Sequence, residues 1–308
     1  MERRKFIQNG LLAGVPTVAA AAIPLASSAL SGNSSTAGKP FNLNYAPHDG
    51  MFSNLAGNKF IDQIKFIHDQ GFRSIEDNGM PGRSAEEQTR IGNTLAKLGM
   101  DMGVFVLDKG GNGANTLAAG KAEYVDIFLK GCRQAVEIAK RVNAKWVNVV
   151  PGDFDRKLPV GIQTANVIEA LRRGVDILAP NGVVIVLEAL SDTPDLFLRT
   201  PDQTYMICKA VNSPNCKILY DIYHMQRNLG NLIVHMDQCW DEIAYIQIGE
   251  VPGRKEPTTG EINYRNIFKH VHEKGYKGIL GMEHGNSKPG KEGELAVIKA
   301  YRQVDSFI

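Results

Sequence analysis

Asn181-Gly-Val-Val-Ile-Val-Leu-Glu188 decides the fold. An Asn-Gly turn hands over to a short run of branched and leucine side chains, and the run stops on a carboxylate. A run of this kind bounded by turn residues is the pattern of a strand buried on both faces, as in a parallel sheet. The unit recurs in both directions. Downstream are Lys217-Ile-Leu-Tyr-Asp221, Ile243-Ala-Tyr-Ile-Gln-Ile248 and Gly278-Ile-Leu-Gly-Met-Glu283; upstream are Lys145-Trp-Val-Asn-Val-Val150 and the runs 101–107, 72–76 and 42–46. Between them lie segments of helical period at 59–70, 84–98, 122–142, 164–178, 201–211, 231–240, 264–273 and 292–304. Gly99, Gly182 and Gly275 stand where helices should stop.

Strict alternation of strand and helix gives a parallel sheet with helices outside, and eight units over this length predict closure into a (β/α)8 TIM barrel forming one α/β domain. An open doubly wound sheet would want a Gly-rich phosphate turn after an early strand. The glycine cluster Gly110-Gly-Asn-Gly113 follows the third strand and lacks the GxGxxG spacing, so it reads as a mobile loop over the barrel mouth.

The chain has 308 residues, 43% of them hydrophobic and 22% charged, with a formal charge of +2. That balance argues against a nucleic-acid partner. It is also uneven. Met1-Glu-Arg-Arg-Lys-Phe-Ile-Gln8 is followed by an uncharged apolar stretch from Leu11 to Leu30. A basic head before a modest apolar run is a targeting signature, and Arg3-Arg4 with Phe6 resembles the twin-arginine export motif. Pro16, Pro24 and many alanines make the run a poor membrane anchor, and Ala26-Ser-Ser28 offers small residues for cleavage. The expectation is a signal at 1–28, a flexible leader at 29–40 and the barrel at 41–308. The twin-arginine machinery is then a transient partner, and the periplasm or another exported location the destination. Removing 1–28 takes away three basic residues and one acidic one, which leaves a formally neutral remainder. Cys132, Cys208, Cys216 and Cys239 form no CxxC pair and read as separate buried thiols, with a Cys208–Cys216 pairing left open.

In such a barrel the chemistry collects at the C-terminal ends of the strands. The last four strands end on Glu188, Asp221, Gln247 and Glu283. On neighbouring strands these would share one bowl, where three carboxylates repel unless a cation or shared protons relieve them. An all-oxygen donor set suits Mn²⁺ or Mg²⁺. His224, three residues after Asp221, is placed to donate to a substrate oxygen, and Arg254 on the loop after the seventh strand to clamp a carboxylate or hydroxyls. His48, Glu76 and Lys109 end the first three strands, where surface and pocket readings are equally good.

Glu250-Val-Pro-Gly-Arg-Lys-Glu-Pro-Thr-Thr-Gly-Glu-Ile-Asn-Tyr264, Tyr220-Asp-Ile-Tyr-His224 and Gly281-Met-Glu-His284 resemble the hydroxypyruvate isomerase family, within the xylose-isomerase-like barrels of sugar isomerases and epimerases. The resemblance runs from Phe41 to the C-terminus. It implies that Glu188 and Glu283 are paired acid/base carboxylates and that Asp221 and Gln247 complete a metal site with them. It also implies a small keto-acid or sugar substrate and a 1,2-carbonyl shift through an enediol, as from hydroxypyruvate to 2-hydroxy-3-oxopropanoate. A homodimer stays open, since barrels of this superfamily often pair. Glu256, Glu261 and Tyr264 are expected to hold the loop. Related epimerases carry a second glutamate soon after the first, where this chain has Ser191-Asp-Thr-Pro194. The other readings are a sugar epimerase of the same superfamily and a non-catalytic exported carbohydrate-binding barrel. DNA repair on this fold would want more metal-binding histidines and a basic face.

Overall fold

The computed structural model describes residues 38–308. The expected signal at 1–28 and most of the expected leader lie outside the described residues. The strands are β1 (Asn44–Ala46), β2 (Ser74–Ile75), β3 (Asp101–Met102), β4 (Phe105–Val106), β5 (Trp146–Val149), β6 (Val184–Glu188), β7 (Cys216–Asp221), β8 (Ile243–Gln247) and β9 (Ile279–Gly281). Seven of them form a curled sheet in the order β1-β9-β8-β7-β6-β5-β4, and β2 pairs with β3. Every pairing between these strands is parallel.

The two sheets continue one another around the barrel. A bridge joins His48 to Glu76, with Glu76 N donating to Pro47 O at 3.1 Å. On the other side the chain passes from β3 into β4 through Gly103 and Val104, changing partner as it goes: Gly103 N donates to Ile75 O at 2.6 Å, and Phe105 pairs with Val147. The single third strand expected at 101–107 is therefore two short pieces. Gly103, at the break, has no room for a side chain, which would run into the Tyr245 hydroxyl and Ile75 O.

Eight outer helices follow the strands: Phe60–Asp69, Ala85–Leu98, Ala122–Val142, Val160–Leu178, Pro201–Val211, Leu232–Gln238, Tyr264–Glu273 and Gly290–Val304. Their limits are chemical. Ser84 accepts from Glu87 N as an N-cap, and Gly99, Asn143 and Asn212 end helices in the left-handed conformation. The helix at Val160–Leu178 starts four residues earlier than its period suggested, with Pro159 at the N-cap position. The short helix Ile222–Asn228 was not foreseen and is capped by Asp221.

Period two along the strands sorts the side chains. In β6, Ile185 and Leu187 face the helices and join the large core, while Val184 and Val186 meet Ala46, Val104, Leu219, Tyr245 and Ile279 inside the barrel. Burying each such aliphatic side chain contributes about 1.5–3 kcal/mol. Glu188 continues the inner series beyond Val186, so the strand that packs the interior also delivers a carboxylate to its mouth. The four cysteines are buried and free. Among the described residues no helix is long and apolar enough to cross a membrane.

Candidate functional site

Strand register brings the four strand-end residues together. Asp221 pairs with Gln247, and Gln247 with Gly281, two residues before Glu283; Glu188 pairs with Leu219, two residues before Asp221. All four lie on the inner face, stepped by the stagger of the barrel.

Glu188 is 3% exposed. Asn148 Nδ2 donates to its Oε2 at 2.5 Å, and Oε1 is buried without a partner. Burial, followed by the nearby Glu283 and Asp221 charges, pushes its carboxyl well above the usual range. Asp221 spends Oδ1 on the Tyr223 and His224 backbone N–H groups, at 2.7 and 3.4 Å, and turns Oδ2 toward Arg254 Nη2 at 3.3 Å. Gln247 is fully buried; its Nε2 points at Glu76 Oε2, 3.4 Å away, and its Oε1 has no partner. Glu283 accepts from Asn78 Nδ2 at 2.7 Å on one oxygen and from Arg254 Nη2 at 2.6 Å on the other. Burial raises its carboxyl to about 7, against the pull of Arg254.

His224 lies 1% exposed beside this cluster. Ser191 N donates to Nδ1 at 3.1 Å and the Ser191 hydroxyl sits 2.8 Å from the same atom. A backbone N–H only donates, so Nδ1 is the acceptor. Burial lowers the ring's pKa, against the Asp221 charge, and a ring whose Nδ1 accepts is the neutral one. Its proton is therefore assigned to Nε2, the atom 3.5 Å from Asp221 Oδ2. Ligating atoms of Glu188, Asp221 and His224 all lie within 4.8 Å of one another, and this buried group could hold a metal ion. The tautomer favours oxygen over nitrogen: His224 offers the site an N–H, while Glu188 Oε1 and Gln247 Oε1 are buried acceptors lacking donors. A hard divalent cation fits that set.

Arg254 is held from several sides. Its backbone N donates to Glu250 O at 2.7 Å, its Nε to Glu283 O at 3.2 Å, and its guanidinium lies 4.7 Å over the Tyr223 ring. The loop behind it is pinned as expected. Glu250 accepts from Val251 N and Ile262 N, the Tyr264 hydroxyl donates to Gly249 O at 2.7 Å, Glu256 accepts from Ser287 N and its hydroxyl, and Glu261 accepts from Gln226.

Glu76 and Lys109 are buried, which removes the surface reading for both. Glu76 enters the barrel interior. Lys109 Nζ donates to the carbonyls of Gly111, Asn112 and Ala114, drawing the glycine-rich loop over itself beside a cavity of about 320 Å³ that Asn78 also lines. His48 is half-buried against the His284 carbonyl. A groove of about 970 Å³ is lined by the outer helices Phe60–Asp69 and Ala85–Leu98 and not by strand ends.

Asn78, Asn148 and Ser191 were not singled out by sequence. Period two contained a signal for the first two: Asn148 shares the inner face with Trp146, and Asn78 stands two residues past Glu76.

A family model described as xylose isomerase-like TIM barrel matches residues 64–303. Hydroxypyruvate isomerase of Escherichia coli (strain K12) is 34% identical over 163 residues, which cover 51% of this chain and 62% of that protein. The match thus spans less than two thirds of that relative. 2-Oxo-tetronate isomerase of Pectobacterium atrosepticum is 30% identical over 234 residues, covering 73% of this chain and 86% of that protein. Among solved structures, an AP endonuclease of family 2 from Brucella melitensis superposes with a TM-score of 0.71 at 23% identity, over 84% of this chain and 99% of that one. That last likeness shows a shared fold.

Proposed function

The chain belongs to the xylose isomerase-like TIM barrel family, on the branch it shares with hydroxypyruvate and 2-oxo-tetronate isomerases, and from that premise we propose that it isomerises a short hydroxylated 2-oxo acid. The observation that carries the reading is the pair Glu188 and Glu283. Each sits at a strand end in one bowl with one oxygen held by an asparagine amide, and burial raises both carboxyls, that of Glu283 to about 7, where it can both take and return a proton.

One glutamate removes a proton from the hydroxyl-bearing carbon beside the ketone, and the electron pair of that C–H bond forms the enediolate. The hydroxyl proton passes to the former carbonyl oxygen, a proton returns to the former carbonyl carbon and the new C=O forms beside it, so the carbonyl moves by one position with no net change in composition. His224 Nε2–H is placed to donate to a substrate oxygen as charge develops there. Arg254 keeps Nη1 for the substrate carboxylate, its other two nitrogens being held by Asp221 and Glu283. We assign a divalent metal, Mn²⁺ or Mg²⁺, to Glu188, Asp221, Gln247 and Glu283; when bound it supplies a Lewis acid for the negative charge on the substrate oxygens. The missing second glutamate after Glu188 supports isomerisation over epimerisation.

The Arg3-Arg4 head supports export through the twin-arginine route to the periplasm, where the substrate would be an external sugar acid or keto acid. A fusion of residues 1–40 to a reporter that is active only after export tests this part: a signal abolished by Arg3→Lys with Arg4→Lys supports it, and an unchanged signal refutes it. The activity is tested by NMR in D₂O with hydroxypyruvate and four-carbon 2-oxo acids, which reads deuterium entering the carbon beside the carbonyl.

A further inference from the structure

Glu76 follows β2 directly and bridges to His48, yet its carboxyl group reaches into the barrel interior, against Tyr245 and Gln247. It is 1% exposed. Oε2 accepts from the Tyr245 hydroxyl at 3.1 Å and faces Gln247 Nε2 at 3.4 Å. Two glycines make room for this arrangement. A Cβ at Gly281 would collide with Glu76 Oε2, and one at Gly103 with the Tyr245 hydroxyl. The interior has given up two side chains to bring a buried carboxylate against the amide of Gln247.

A glutamine amide has a donor end and an acceptor end, and rotation by half a turn exchanges them. With an acceptor on one side, the NH₂ group turns toward it and the carbonyl oxygen turns away. Gln247 Oε1 is the end left buried and without a partner. The reverse orientation would aim two N–H groups at a cation and waste the ligand.

We propose that Glu76 is a positioning residue, which turns the Gln247 amide so that its oxygen is presented to the metal site. The inference rests on the metal reading above, and it adds the device that makes a neutral glutamine serve as a ligand. Outer partners of this kind alter metal affinity by about 10- to 100-fold when removed.

The test is calorimetric titration of the purified protein with Mn²⁺ alone, on wild type, Glu76→Leu, Glu76→Gln, Gln247→Leu and the Glu76→Leu/Gln247→Leu pair. The expected result is a Kd about 10- to 100-fold weaker for Glu76→Leu, near-wild-type binding for Glu76→Gln, which keeps an acceptor in place, and a double variant no weaker than Gln247→Leu. A Glu76→Leu protein that folds and binds as wild type overturns the proposal, as does a further loss in the double variant comparable to that in the single one. If Glu76→Leu fails to fold, a crystal structure of Mn²⁺-loaded wild type decides: Gln247 Oε1 on the ion with Nε2 toward Glu76 supports the inference, and any other placement of the amide overturns it. Wild type that binds no Mn²⁺ removes the metal reading and this inference together. Binding without isomerase activity removes only the proposed reaction.

Discussion

Asn148 Nδ2 donates to Glu188 Oε2 at 2.5 Å, and that one bond divides the labour of the carboxylate. The held oxygen fixes the plane of the group, and the other, buried without a donor, is left for the proton or the metal. Asn78 likewise holds one oxygen of Glu283, at 2.7 Å, and Arg254 Nη2 takes the other at 2.6 Å. Two glutamates on β6 and just past β9 are thus aimed by amides from β5 and from the turn after β2.

Substituting either asparagine by leucine should slow the reaction without removing its acids. The expected loss in kcat is about 10- to 100-fold, the size found for outer partners of a reacting group, with a smaller change in KM. Steady-state kinetics of Asn148→Leu and Asn78→Leu check this; kcat within twofold of wild type in both would refute the aiming role.

His224 separates two assignments that proximity alone confuses. Because Ser191 N–H occupies Nδ1, the ring presents Nε2–H to the site and is a donor, not a ligand. His224→Asn should lose turnover while its Mn²⁺ affinity stays near wild type, whereas Asp221→Asn should lose both. Parallel loss of Mn²⁺ binding in the two variants would make His224 a ligand.

Arg254 reaches Asp221 Oδ2 and Glu283 Oε2 with Nη2 and the Glu283 carbonyl with Nε, which leaves Nη1 for an incoming anion. Charge-assisted hydrogen bonds contribute about 1.5–3 kcal/mol, so Arg254→Met should raise KM for a 2-oxo acid by about 10- to 100-fold. Arg254→Lys should recover only part of it, because a point charge does not reproduce a planar fork. A KM unaffected by Arg254→Met would remove the arginine from substrate binding.

Arg83 ties the turn that carries Asn78 to the rest of the barrel. It binds Asp77 at 2.5 Å, Asp49 at 2.6 Å and Glu87 at 2.7 Å, and lies 4.8 Å over Phe60. Asp77 is 5% exposed, so losing its partner strands a nearly buried charge. Arg83→Leu should lower stability by about 2–4 kcal/mol, somewhat less than a fully buried pair because the arginine keeps some solvent access. Urea unfolding measures it, and a change below 1 kcal/mol would contradict this reading of the ion-pair cluster.

The barrel was legible because buried strands such as Val184–Glu188 write a nearly continuous apolar run that ends on a polar residue. The strand-end set of Glu188, Asp221, Gln247 and Glu283 was legible for the same reason. Shorter strands were harder to place. β2 has two residues in ladder geometry, and β3 and β4 are parted at Gly103, where Tyr245, more than a hundred positions later, leaves no room for a side chain. The partners of the site were hidden by distance in sequence. Nothing near Glu188 announces Asn148, and nothing near Gln247 announces Glu76; each reaches the other only when the sheet closes. The cap at Asp221 was local, but its side chain was read for metal binding and not for the helix it also starts.

Solvent exchange into substrate tests the central claim most directly. Wild type incubated with hydroxypyruvate in D₂O should place deuterium on the carbon beside the carbonyl, read by proton NMR, while Glu188→Gln and Glu283→Gln each lose about 10²- to 10⁴-fold in that rate. If both variants exchange as fast as wild type, Glu188 and Glu283 are not the proton-transfer pair and the account fails.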